Sequence, residues 1–126
     1  MPEEPAYVSG TGYTRTVVAV RPEIQPVYDA LMGLALALGD DVKAQPGEAA
    51  VRLVRNRVFA QIKPVTRKRI DLGFALGLRP ARGRLADAGG FAKKDRITHR
   101  IPIGSLAEID DEVKRWLRIA YEEDAA

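Results

Sequence analysis

Arg69-Ile70-Asp71-Leu72-Gly73-Phe74-Ala75-Leu76 alternates large apolar side chains with charged or small ones: Ile70, Leu72, Phe74 and Leu76 oppose Arg69, Asp71, Gly73 and Ala75. That period belongs to a β-strand with one buried face, because successive side chains leave the pleat on opposite sides. Three other segments share it. Ala49, Val51 and Leu53 alternate with Ala50, Arg52 and Val54; Val58, Ala60 and Ile62 with Arg57, Phe59, Gln61 and Lys63; Ile97, His99, Ile101 and Ile103 with Thr98, Arg100 and Pro102. Asn56-Arg57 and Val65-Thr66-Arg67 are short enough for hairpin connections, so the strands read as an antiparallel meander. Pro102 has no N–H to give a ladder, which puts the last strand at an edge or a bulge.

Outside the strands the period changes. After Pro22 and Pro26, which suit a first helical turn, Val27, Tyr28, Leu31, Leu34, Ala35 and Leu38 recur at three- and four-residue spacing, and Gly39-Asp40-Asp41 makes a stop. Toward the C-terminus Ile109, Val113, Trp116, Leu117, Ala120 and Tyr121 form a helical stripe, with Trp116 as its core anchor. Two starts fit this helix. Either Ser105 and Glu108 form a capping box, or Asp110 caps the helix after a preliminary turn; Asp110, Asp111 and Glu112 sit near the positive dipole end in both cases. The expected fold is α+β: an antiparallel meander with an N-terminal and a C-terminal helix packed on one face. Residues 1–21, with Pro2, Pro5, Gly10 and Gly12, read as an arm that adds at most one strand over 14–20, and 22–126 as a single domain.

Length and composition remove whole classes of chemistry. A chain of 126 residues, 46% hydrophobic, buries one core without needing disulfides or a structural metal. With no Cys and one His, thiol catalysis, disulfide frameworks and imidazole-pair zinc sites are excluded. The opening Met-Pro-Glu-Glu-Pro is no secretory leader, and the run Leu31–Gly39 is far short of the roughly twenty residues that span a bilayer. A cytoplasmic protein without cofactor or metal is the expectation. Net charge is +3, unevenly spread: residues 1–50 and 101–126 each carry −4, whereas residues 51–100 hold 14 Lys/Arg against 3 Asp/Glu.

Short motifs carry a resemblance. Tyr28-Asp29-Ala30-Leu31, Leu38-Gly39-Asp40-Asp41-Val42, Phe59-Ala60 with Pro64, Leu72-Gly73-Phe74, Thr98-His99-Arg100-Ile101, Ile109-Asp110-Asp111-Glu112 and Trp116-Leu117 through Ala120-Tyr121 resemble, in order and spacing, a bacterial family catalogued as domain of unknown function 5655. The likeness covers roughly residues 22–123. It implies a small α+β domain and supplies no catalytic residue. Some members are labelled predicted transport proteins, a label that the short apolar runs here do not fit.

Each group capable of chemistry has a structural reading beside a functional one. His99, the lone imidazole, reads as a partly buried, hydrogen-bonded structural residue. Asp40-Asp41 and Asp110-Asp111-Glu112 read as a helix stop and a helix start before they read as metal ligands. No Gly-x-Ser-x-Gly elbow and no phosphate loop ending in Gly-Lys-Ser/Thr occurs, and Gly73 and Gly77 suit a bend at a strand end. A non-enzymatic binding or interaction module is therefore expected, with self-association through the uncovered sheet face as one mode. The alternative is nucleic-acid or polyanion binding, with Arg52, Arg57, Lys63, Arg69 and Arg100 projecting from the face away from the core and Phe59 offered for stacking. The segment 77–96 holds 6 Lys/Arg and 2 Asp/Glu, and is too long for an idle connection. Leu85 and Phe91 are expected to pin it across the open sheet face.

Overall fold

The computed structural model describes residues 21–47, 49–89 and 95–124. In chain order these form α1 (Gln25–Leu36), β1 (Lys43–Pro46), β2 (Val51–Val54), β3 (Val58–Thr66), β4 (Arg69–Phe74), β5 (Ala86–Asp87), β6 (His99–Ile103), a 3₁₀ turn (Leu106–Glu108) and α2 (Asp111–Glu123). The strands make one antiparallel sheet in the order β1-β2-β3-β4-β6-β5. The fold class is α+β. The strand suggested over residues 14–20 lies outside the described residues.

Register puts the expected apolar positions in rows. Leu53, Ala60, Phe74 and His99 pair successively across β2, β3, β4 and β6, and Val51, Ile62, Leu72 and Ile101 form the next row. With Val27, Tyr28, Leu31 and Ala35 of α1 and Val113, Leu117, Ala120 and Tyr121 of α2, the apolar members of these rows make one hydrophobic cluster. Tyr28, Phe59 and Phe74 are its largest fully buried side chains. The sheet face turned away from this cluster is called the outer face below.

Two strands escape the period-two reading because they are too short to show it. β1 has four residues, one of them Pro46, and β5 has two. β5 pairs only with His99 and Arg100, so β6 has no neighbour on that side at Pro102, where the missing N–H costs nothing.

Three expectations need correction. Phe59 is not on the outer face. A register shift pairs Leu53 with Ala60 but Val54 with Val58, leaving Phe59 unpaired at a bulge; it turns into the cluster and meets the Tyr121 ring edge-on, with centroids 5.7 Å apart. Trp116 is half-buried at the cluster margin, its indole N–H directed at Glu112 Oε2 3.5 Å away, and Tyr121 takes the interior place. Ile97 is buried but outside the cluster, because regular β6 pairing begins only at His99.

Helix ends follow local chemistry. The Asp110 carboxylate accepts from Val113 N–H at 3.2 Å, whereas Ser105 makes no side-chain cap bond, so the later of the two starts is the one used. α1 closes at Ala37, before Gly39. Gly39 is there for space: an added Cβ would lie 2.7 Å from Asp41 Oδ1 and on top of the Tyr121 hydroxyl.

Candidate functional site

Of the five basic residues expected on the outer face, four are there. Arg52 pairs in register with Gln61, Gln61 with Gly73 and Gly73 with Arg100, so these four share one row; Lys63 and Asp71 lie opposite each other in the next. Arg69 joins them two residues before Asp71 on β4. Arg57 does not. It occupies the β2–β3 turn, where its Nε meets Asp124 Oδ1 at 3.2 Å, because that turn lies against the end of α2.

The outer face is also not an open field of positive charge. Asp71, whose side chain is 13% exposed, pairs with Arg69 at 3.2 Å and with Arg100 at 3.1 Å. Arg69 and Arg100 are thereby committed. Arg52 and Lys63 make no ion pair among the described residues. Asp71 was legible beforehand, since it stands at i+2 from Arg69 on one strand face, where such side chains meet.

Two adjoining hollows occupy this face. One, of about 300 Å³, is bordered by Gln61, Lys63, Asp71, Gly73 and Arg100 of the sheet and by Asp87, Ala88, Asp95 and Ile97 of the segment that follows β4. The other, of about 340 Å³, runs toward the β1–β2 turn, with Gly47, Ala49, Ala50 and Arg52, and shares Gln61, Lys63 and Asp95 with the first. Together they form a trough across the strands. Gly73 is part of its floor because Ile97 packs there: a Cβ at Gly73 would lie 2.7 Å from Ile97 Cγ2 and 3.0 Å from Gln61 Cγ. All 3 acidic residues of the basic stretch 51–100, Asp71, Asp87 and Asp95, border this trough.

The segment from Gly77 onward is fastened down as far as Ala88. Arg79 grips the Glu123 carboxylate with both terminal nitrogens, Nη1 to Oε1 at 2.8 Å. This holds the Glu123 carboxyl below its usual range. Arg84 donates to Asp110 Oδ2 and to the Glu108 carbonyl, both at 2.8 Å. Leu85 is 1% exposed and belongs to the main cluster, so it does not lie across the open face as expected. Phe91 lies outside the described residues.

His99 is 3% exposed with both ring nitrogens engaged. Nε2 lies 2.6 Å from the Arg79 carbonyl oxygen, which can only accept, so Nε2 carries the proton. Nδ1 then accepts from the Thr98 hydroxyl at 2.7 Å, and that hydroxyl itself accepts from Leu76 N–H at 3.1 Å. The chain of bonds ties β6 to the segment after β4.

Two further polar clusters brace α2. Asp41 accepts from the Tyr121 hydroxyl and from Arg55 Nε, each at 2.7 Å, while the Arg55 guanidinium lies 4.0 Å over the Tyr121 ring. The hydrogen bond from Tyr121, then that from Arg55, holds the Asp41 carboxyl below its usual range; the same bond, with burial, raises the Tyr121 phenol. Asp124 is bound by Asn56 and Arg57. Among the described residues no three His, Asp or Glu converge as a cation site, and no helix is long and apolar enough to cross a membrane.

A family model described as Domain of unknown function (DUF5655) matches residues 14–124. No curated protein and no solved structure matches the chain.

Proposed function

The chain belongs to the DUF5655 family, whose description names no activity, and on that premise we propose that it is a small non-enzymatic binding module that recognises its partner in the outer-face trough. One observation carries the reading: the trough gathers two cations that make no ion pair among the described residues, Arg52 and Lys63, and all three acids of the surrounding basic stretch around a floor of Gln61 and Gly73. Convergent polar groups at a concave site are the usual form of a recognition surface. The polyanion alternative is weaker, because Arg57 is turned to Asp124 and Arg69 and Arg100 to Asp71, which leaves two of the five expected cations for phosphates. His99, with both nitrogens spent inside the fold, has none left for acid–base work. A chain without cysteine suits the reducing cytoplasm, where the module is proposed to act.

The test is an amide-resolved NMR titration with a random-sequence pool of short peptides and, separately, with a random single-stranded oligonucleotide. The expected result is movement of the Gln61, Gly73 and Ala88 amides with the peptides. Movement with the oligonucleotide alone would install the polyanion reading instead. Movement confined to other surfaces would remove the trough as the recognition site.

A further inference from the structure

We propose that the tip of the β3–β4 hairpin is a sequence-independent contact for the phosphate backbone of duplex DNA, a site beyond the trough that shares only Lys63 with it. The stretch Lys63-Pro64-Val65-Thr66-Arg67-Lys68-Arg69 holds 4 cations and no acid. Arg69 is spent on Asp71. Lys63, Arg67 and Lys68 are exposed and make no ion pair among the described residues. The tip keeps its shape without these cations. Past Ile62 on β3 and before Ile70 on β4, the two strands pair only with each other. Pro64 pairs with Ile70 and Thr66 with Arg69, which leaves Val65 as the extra residue of a bulge. Lys68 N–H donates to Thr66 Oγ1 at 3.2 Å, and a Cβ at Gly104 would lie 3.0 Å from the Lys68 carbonyl oxygen.

What surrounds the tip decides the form of the anion. Glu108 stands beside it, its Oε1 accepting Gly104 N–H at 2.5 Å, and Asp111 and Glu112 follow on α2. A flat anionic bilayer brought up to the tip also meets these acids, and it gains little from Val65, whose side chain is already more than half covered. A nucleic-acid backbone is a narrow line of charge that can touch the tip alone. The stretch has no aromatic residue to stack on unpaired bases, and a duplex carries one charge per ~1.7 Å of its axis, which favours it over a single strand. Counting Glu108 against Lys63, Arg67 and Lys68, and also Glu48, which lies outside the described residues, still leaves the tip positive.

An amide-resolved NMR titration of the full chain with a short random-sequence duplex DNA, repeated from low to physiological salt, tests this. The Thr66, Arg67 and Lys68 amides are expected to move, and log affinity is expected to fall against log salt with a slope of about −2.7, three phosphates at about −0.9 each. Two double variants are compared near ~0.1 M salt, where charges more than about 10 Å apart are screened. Arg67→Glu with Lys68→Glu is expected to weaken binding about tenfold. Lys114→Glu with Arg115→Glu, an equal change in net charge at exposed positions on α2, is expected to leave it within about twofold. Urea midpoints of both variants control for folding. Equal losses in the two would show a response to net charge with no site at the tip, and the proposal falls. It falls equally if the duplex does not bind at low salt, if mixed phosphatidylserine and phosphatidylcholine vesicles move the tip amides and the duplex does not, or if the duplex moves only Gln61, Gly73 and Ala88. Peptide shifts at those three amides report on the trough alone, so the two readings fail separately.

Discussion

The Asp124 carboxylate, 0% exposed, accepts from the backbone N–H of Asn56 at 2.7 Å. It lies at the C-terminal end of α2, where the helix dipole disfavours negative charge. Its place is explained from the sheet side. The same carboxylate accepts Arg57 N–H at 2.9 Å and meets the guanidinium groups of Arg57 and Arg96, while the Asn56 side chain donates to the Asp124 carbonyl at 2.9 Å. One side chain thus supplies the acceptors that the β2–β3 turn lacks and locks α2 against it.

Replacing Asp124 with Ala strands two turn N–H groups and two guanidiniums beside an emptied site. Unfolding in urea is expected to show a loss of about 3 kcal/mol. Asp124→Asn keeps the shape and one acceptor and is expected to lose about half of that. An unchanged midpoint for the Ala variant would mean that the α2 end is not held by this residue.

Core packing separates Phe74 from Trp116. Phe74 is fully buried, so Phe74→Ala is expected to cost about 3–5 kcal/mol, whereas half-buried Trp116→Ala is expected to cost about 1–2 kcal/mol. Equal losses in chemical denaturation would contradict the placement of the Trp116 ring at the margin.

How much of this was legible follows from the range of the forces involved. The β4 alternation, the helical stripe of α2 and the Asp110 cap are local, and each is readable over a few residues. The Phe59 bulge is not, because the extra residue shows only once β2 and β3 are in register. On the outer face, Arg52, Lys63, Arg69 and Arg100 followed from the same alternation, and Asp71 meets Arg69 two residues away on its own strand, but its second partner, Arg100, shows only once β4 and β6 are in register. Asp124 is farther still: nothing near it in sequence announces a partner 68 residues away. Trp116 was misplaced because the spacing that fits the stripe does not say which member lies at its centre.

Gly73 and Ile97 give a test of the trough floor. Gly73→Ala drives a methyl to within 2.7 Å of Ile97 Cγ2, and the expected loss is about 1–2 kcal/mol. Shortening Ile97 to Ala removes the obstacle, so the double variant is expected to be more stable than the sum of the two single losses predicts. Strict additivity in a double-mutant cycle would show that the two side chains do not meet.

The pH dependence of stability has two limbs of opposite origin. Asp41, Asp110 and Glu123 are held below their usual range, chiefly by bonds from Tyr121, Val113 N–H and Arg79 respectively. A depressed carboxyl contributes above its unfolded pKa and gives that contribution up as pH falls through its folded one, so stability is expected to decline below about pH 4. Tyr121 is shifted upward by its bond to Asp41, so its contribution is complete below about pH 10 and fades as pH rises past that. Urea midpoints measured across pH should give a plateau with both shoulders, and Tyr121→Phe should remove the alkaline one. An alkaline shoulder that persists in that variant would assign it to another group.

Binding of single-stranded nucleic acid, where it occurs, carries its own count of the cations involved. Each phosphate neutralised contributes about −0.7 to the slope of log affinity against log salt on a single strand. Arg52, Arg57, Lys63, Arg69 and Arg100 acting together would give roughly −3.5. Arg57 is held by Asp124, and Arg69 and Arg100 share Asp71, so of these five only Arg52 and Lys63 should act, for a contribution of about −1.4 to the slope. A heparin or oligonucleotide titration between low and physiological salt reads this directly. A measured slope near the larger value would require Arg57, Arg69 and Arg100 to leave their carboxylates for phosphate, and would return the whole outer face to the role of a polyanion surface.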